Sequence, residues 1–294
     1  MGFNETSKAS VGCLWNSSVL IDDEGRVRNH HRKMVPTFYE KLVWSNGDGA
    51  GLRVVESERL GKVGSLICGE NTNPLGELLL PIRPAWRTLA DMAAARFALM
   101  AQGEQIHISS WPAVWPTRHV APSTTSSPPS TGKQYDNISA NRTRAAAHCF
   151  EAKCFGVLCS GVMDKAMKST ILSHAPSAAE TLESLTQGQS CFLDPTGAAV
   201  GDVVGGGEEG IAYAELDLGM CVEPKQFHDV VGGYQRWDVF GLRVDRRRRG
   251  VEGTFGEDDQ KNTVGLEEEP EENVHGGPET DALGHLWERE DRKR

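Results

Sequence analysis

Short apolar runs alternate with Gly, Pro and Asp punctuation through the first 250 residues. Residues 15–22 (WNSSVLID) run into Asp22-Asp23-Glu24-Gly25, and residues 190–194 (SCFLD) run into Asp194-Pro195-Thr196-Gly197. Each pattern predicts a strand meeting a tight turn whose Gly takes positive φ, hence a hairpin. Residues 64–67 (GSLI), 105–110 (QIHISS), 155–160 (FGVLCS) and 211–216 (IAYAEL) read as buried strands. Residues 95–102 (ARFALMAQ), stopped by Gly103, and 141–153 (NRTRAAAHCFEAK) have helical composition and spacing. Strands alternating with helices, plus hairpins, predict a layered α/β domain with a mixed sheet. The polar stretch 121–131 (APSTTSSPPST) is expected to form a surface loop inside that domain, because patterned sequence resumes on both sides.

Charge redraws the boundaries. The chain carries −10, but residues 251–294 hold 14 Asp/Glu against 5 Lys/Arg, a balance of −9, which leaves the body near −1. Residues 250–294 therefore read as an acidic, disordered tail, too polar to offset the entropy of ordering, and residues 1–249 as the folded domain. The run Arg246 to Arg249 is too short for a nucleic-acid footprint, so no nucleic-acid partner is expected. No apolar stretch approaches the roughly 18 residues of a membrane span, and the N-terminus lacks a signal core, so no membrane partner and a cytoplasmic location are expected. Seven cysteines without CxxC spacing disfavour both a disulfide framework and a zinc site.

Cys68 stands apart from the other six. It ends an apolar strand, is followed at once by Gly69, and enters Glu70-Asn71-Thr72-Asn73-Pro74, where polar caps and Pro suit a helix start. Such an elbow exposes a side chain at a sheet edge, and a helix N-terminus lowers a thiol pKa, favouring nucleophilic attack. Most lone cysteines on apolar strands are inert packing, so this pattern alone leaves both readings open. Lys33 sits at a strand end before the Pro36 turn, with Glu40 seven residues later. A lysine near a thiolate can stabilise developing negative charge, with a glutamate to orient it, although a lysine in a His-Arg-Lys cluster is more often a surface charge.

Five segments together resemble the nitrilase branch of the carbon-nitrogen hydrolase superfamily: HRKMVPTFYEKLVWSNGDG (31–49), GKVGSLICGENTNPL (61–75), ARFALMAQGEQIHISSWP (95–112), YDNISANRTRAAAHCFEAKCFG (135–156) and KQFHDVVGGYQRWDVF (225–240). The resemblance implies an α-β-β-α four-layer sandwich and a catalytic set in which Cys68 matches the nucleophile, Lys33 the catalytic lysine and Glu40 the supporting glutamate. It implies conversion of a small-molecule nitrile to carboxylic acid and ammonia through a thioimidate and a thioester, with no metal or organic cofactor, in a homo-oligomer of two or more copies. Gly69 stands where the family commonly has Trp, which widens the pocket beside the thiolate. Trp111 and Pro112 occupy the family's pocket-lining region, although a core aromatic at a strand end is an equal reading. His107 and His148 read as satisfied core or helix histidines, and His228 and Tyr234 as parts of a structural motif.

Two departures qualify the resemblance. The family has first strand-helix units, carrying a general-base glutamate, before the point matched by Gly2-Phe3-Asn4-Glu5; here they are lacking, which the resemblance attributes to a mis-assigned start codon. Residues 76–94 (GELLLPIRPAWRTLADMAA) interrupt an otherwise continuous family string as a probable insert and carry two prolines where the family has helix. A retained short intron accounts for an in-frame insert of this kind. The alternatives are an amidase, an amide-releasing nitrile hydrolase, or an inactive interaction protein that lacks its general base. Sequencing of cDNA across the junction is expected to show transcripts without the codons for residues 76–94; if every transcript carries them, the intron reading is lost.

Overall fold

A parallel strand flanked on both sides by other strands is covered on both faces, and residues 61–67, 106–111 and 155–158 are buried or half-buried throughout. A computed structural model of the chain describes residues 2–4 (backbone only), 12–72, 95–117, 136–236, 238–239, 242 and 244–248. The expected insert at 76–94, the polar loop at 121–131 and the acidic tail at 250–294 lie outside the described residues.

Strands β1 (Gly2–Asn4), β2 (Leu14–Ile21) and β3 (Val27–Arg32) form a three-stranded antiparallel sheet. β4 (Val55–Ser57) and β5 (Gly61–Ile67) lead through the helical residues 95–100 (α1) to β6 (Ile106–Trp111). Helix α2 (Asn137–Ala152) precedes β7 (Phe155–Ser160), α3 (Lys165–His174) and α4 (Ala179–Glu183) follow, and β8 (Ser190–Leu193) and β9 (Ala199–Val204) complete the larger sheet. Its order is β4-β5-β6-β7-β8-β9, with β5, β6 and β7 parallel and the outer pairs antiparallel.

Alternation along the strands sorts side chains between two layers. Val63, Ile106 and Phe155 pack with Leu20 of β2, so one face of the large sheet meets the small sheet. Ser18 and Ser65 hydroxyls, 3.1 Å apart, join the two sheets across that interface. Leu66 packs against Ala95 and Leu99 of α1, while Trp111, Leu158, Cys191 and Leu193 pack against Ala145 and Cys149 of α2. Helices, six-stranded sheet and three-stranded sheet thus follow in the order of the expected α-β-β-α sandwich. Among the described residues, no helix is long and apolar enough to cross a membrane.

Both predicted hairpins are present, β2 to β3 and β8 to β9, with Gly25 at φ 80° and Gly197 at φ 84°. Helix α2 begins four residues before the predicted start, because the Asp136 carboxylate accepts the Ile138 N–H and caps it there. It ends at Lys153 in the left-handed conformation. The expected buried strand at 211–216 is corrected: these residues join no sheet, and Ile211 and Tyr213 are exposed. Asp202 of β9 donates its N–H to the Tyr213 carbonyl, but no ladder follows, and the inward contact comes from Leu216. The alternation was real but belongs to a chain lying along an edge.

Gly47 and Gly51 pass the end of β3 at a distance that admits no side chain. A Cβ on Gly51 would stand 2.3 Å from the His31 Cα and 2.7 Å from the His30 carbonyl oxygen, both backbone atoms that cannot turn aside. Gly51→Ala is therefore expected to destabilise the fold by about 2 kcal/mol or more, read as a lower urea midpoint at unchanged slope.

Candidate active site

β5 delivers Ile67 to the sheet edge, and the chain then turns through a single 3-10 turn, Cys68–Asn71. Cys68 sits in the left-handed region at φ 53°, one of three described non-glycine residues with positive φ. A left-handed non-glycine residue costs of order 1 kcal/mol and persists only where its surroundings fix it.

Glu70 supplies much of that fixing. Its fully buried carboxylate accepts the Ile67 N–H at 2.9 Å, the Met34 N–H at 2.8 Å and the His31 Nε2–H at 2.8 Å. It thereby ties the elbow to both sides of Lys33. Burial pushes the Glu70 carboxyl up, but the His31 ring and the three donated hydrogen bonds outweigh it and hold the carboxyl below its ordinary 4.5.

Lys33 follows β3 directly and is 1% exposed, so it is a buried ion rather than a surface charge. Its Nζ hydrogen-bonds Glu40 Oε2, which also accepts the Thr37 N–H at 2.6 Å. The 3-10 turn Phe38–Leu42 carries Glu40 back toward the lysine. The structure brings Lys33, Glu40 and Cys68 together: both charges act on the thiol. Burial pushes the Cys68 thiol up; Lys33, the Gly69 N–H and Arg144 favour its thiolate, and Glu40 opposes it. The expected lowering by a helix N-terminus is thus corrected. A single 3-10 turn has little dipole to offer, and desolvation prevails over the nearby cations.

Trp111, 7% exposed, packs in the same cluster as Cys68, and the Arg144 guanidinium stands 5.6 Å from its ring centre. Its indole Nε1–H has no acceptor among the described residues. The Pro112 carbonyl accepts the Ser160 hydroxyl at 3.1 Å, which joins the ends of β6 and β7. Gly69 stands beside the thiol, its carbonyl accepting the Thr72 N–H at 2.9 Å. The His228 and Tyr234 rings meet each other at 4.7 Å, tilted by 46°.

Sequence reasoning missed Glu70, Asn71 and Arg144. The first two directly follow the elbow and are polar residues entering a buried turn, a signal that pointed to them. Arg144 lies on an ordinary helical stretch, and only the packing of α2 shows it facing Cys68.

A family model described as carbon-nitrogen hydrolase matches residues 1–80 and 92–226. The chain is similar to a nitrilase of Penicillium rubens, 28% identical over 250 residues, covering 83% of this chain and 65% of the relative. It is also similar to an arylacetonitrilase of Macrophomina phaseolina, 30% identical over 264 residues, covering 85% and 66%. The chain thus spans just under two thirds of the length of these relatives. Among solved structures, a carbon-nitrogen hydrolase from Helicobacter pylori G27 superposes with a TM-score of 0.53 at 19% identity, covering 79% of this chain and 66% of that one, a likeness of fold.

Glu70→Gln leaves one carbonyl oxygen where two carboxylate oxygens served three donors, and turns an amide N–H₂ toward at least one of those same donors. It is expected to cost about 3 kcal/mol of unfolding free energy at pH 7. Because the folded carboxyl lies below its ordinary value, the wild-type advantage is full above about pH 4.5 and is lost as the pH falls through the folded value. Urea titrations of both proteins at pH 7 and pH 4 should show the gap narrowing; a constant gap would contradict it.

Proposed function

The chain belongs to the carbon-nitrogen hydrolase family, and from that premise we propose that it is a nitrilase in which Cys68 is the nucleophile, Lys33 the electrostatic catalyst and Glu40 the residue that holds the lysine. The observation that carries this reading is a left-handed cysteine at the end of a parallel strand, facing a buried Lys33–Glu40 ion pair. Strained nucleophile elbows and buried lysines are costly, and no packing need accounts for both in one place. The nitrilase and arylacetonitrilase names of the relatives favour a nitrile over other carbon-nitrogen substrates.

In this mechanism the Cys68 sulfur bonds to the nitrile carbon while the thiol proton passes to the nitrile nitrogen, giving a thioimidate. Lys33 and the Gly69 N–H stabilise the negative charge that develops on the substrate. Water adds to the C=N carbon, the protonated amine leaves as ammonia, and a thioester remains. A second water breaks the C–S bond, releases the carboxylic acid and restores the thiol. Expulsion of sulfur from the first tetrahedral adduct would instead release an amide, so the balance of leaving groups sets the product. Because burial raises the thiol pKa, the free protein holds the neutral thiol, and the proton leaves sulfur as the S–C bond forms. Glycine at 69, where the family commonly has Trp, removes bulk beside the thiol, which suits nitriles bearing a ring.

Ammonia release from aromatic and aliphatic nitriles tests the reading. Cys68→Ala is expected to lower it by about 10³-fold or more, and Lys33→Met comparably, with the fold retained by circular dichroism. Release that survives Cys68→Ala would overturn the assignment.

A further inference from the structure

A second buried polar cluster lies behind the elbow and has no part in the steps above. Glu104, at the entry to β6, His107 of β6 and His148 of α2 are all at most 1% exposed, and the two rings stack at 3.6 Å. Their donor atoms lie within 4.8 Å of one another, as a metal triad requires. Those atoms are already committed to each other, however, and the Arg96 guanidinium occupies the outer nitrogen of His148. A metal ion there would have to break the hydrogen bonds that already join these atoms.

Donor and acceptor accounting fixes the protons instead. Arg96 Nε donates to His148 Nδ1 at 3.2 Å, and a guanidinium only donates, so Nδ1 is bare and the His148 proton lies on Nε2. That proton is given to Glu104 Oε1. His148 is thus neutral, in line with burial pushing its pKa down to about 4. At the other end, the Asn71 amide nitrogen donates to the Leu66 and Cys68 carbonyls, each at 3.2 Å. Flipping the amide would set its oxygen against two carbonyl oxygens, so Oδ1 faces His107 and must accept. His107 Nε2 lies 2.7 Å from Oδ1 and therefore carries a proton. One proton must lie between His107 Nδ1 and Glu104 Oε2, 2.9 Å apart, since two facing lone pairs would repel; imidazole is the stronger base, so Nδ1 holds the proton and the carboxylate accepts it. Both nitrogens of His107 donate.

We propose that His107 is a buried imidazolium, neutralised by Glu104, and that it acts as a positioning residue by orienting Asn71, whose amide clamps the Cys68 carbonyl and holds the nucleophile in its left-handed conformation. This rests on the assignment of Cys68 as nucleophile, but the protonation state does not. The groups packed around the imidazolium are Glu104 and Asn71 at its nitrogens and the neutral His148 on its face, with Arg96 and Glu151 beyond and the buried thiol of Cys154 near Glu104. Among them Glu104 alone bonds the ring and carries negative charge.

Nitrogen-15 spectra of the imidazole side chains of the full chain test the proton count. The His107 signal, identified by its loss in His107→Gln, is expected to show both nitrogens protonated, as the hydrogen-bond partners require. Glu104→Gln should convert it to a neutral ring protonated on Nε2 alone, because the new amide donates to Nδ1 and the bond to Asn71 survives. Hydrogen exchange of the peptide spanning residues 66–72 tests the clamp. Exchange should quicken about tenfold in Asn71→Leu and His107→Gln and change little in Glu104→Gln. A singly protonated His107 in the unaltered chain overturns the imidazolium, and equal exchange in all variants overturns the positioning role. Both readouts are independent of ammonia release, so a failure of the nitrilase reading is distinguishable from a failure of this one.

Discussion

The Glu70 carboxylate is the constraint on which the site depends. Two of its three donors, the Met34 N–H and the His31 ring, belong to the end of the small sheet, and the third, the Ile67 N–H, belongs to the last residue of β5. Lys33 lies between the first two and Cys68 follows the third, so one buried anion sets the spacing between the proposed nucleophile and its cation. A buried carboxylate is tolerable only when its acceptors are filled, and here each donor comes from a segment that also carries Lys33 or Cys68. The energy that keeps the ion buried is therefore the energy that aligns the site. Segment 47–51 adds a steric limit from the other side, since Gly47 and Gly51 rest directly on the backbone of residues 30–33.

The balance at Cys68 follows from that arrangement. A thiol enclosed by Ile67, Trp111 and the α2 helix is desolvated, which favours the neutral form, while Lys33, Arg144 and the Gly69 N–H favour the anion. Burial and the positive charge of Lys33 and Arg144 thus pull the thiol in opposite directions, with burial the larger influence. Glu40 moderates that charge and keeps Lys33 buried, at the cost of opposing the thiolate. Such an arrangement limits side reactions of the thiol until a polarisable carbon is close.

Much of this was legible in the sequence, for particular reasons. The turns Asp22 to Gly25 and Asp194 to Gly197 announced both hairpins because Asx side chains and a positive-φ glycine specify a turn locally. The apolar runs of β5, β6 and β7 survived because parallel strands need no long-range information to be recognised as buried. Residues 211–216 misled because period-two alternation reports one buried face and says nothing of whether a neighbour supplies a ladder. The start of α2 was misplaced because the Asp136 cap lies beyond the apolar periodicity that drew attention to the helix. At the site, Lys33, Glu40 and Cys68 were legible as types and by resemblance. The rise in the thiol pKa was not, because desolvation depends on which helices and strands close around a residue, a non-local fact.

Consecutive residues of the elbow are held from opposite faces. Glu70 turns toward the small sheet and Asn71 toward the helix layer, where His107 and Glu104 of the β6 region receive it. A 3-10 turn places neighbouring side chains about 120° apart, so two successive polar residues reach separate layers without distorting the backbone between them. Each anion, Glu70 or Glu104, is matched by a histidine, and each pair fixes one end of the four-residue turn that begins with Cys68. The strain of a left-handed cysteine is thus opposed on both sides by buried polar contacts rather than by apolar packing alone. Apolar packing resists compression but tolerates sliding; directional hydrogen bonds to carbonyl and amide groups resist rotation, which is the motion that would carry Cys68 out of the left-handed region.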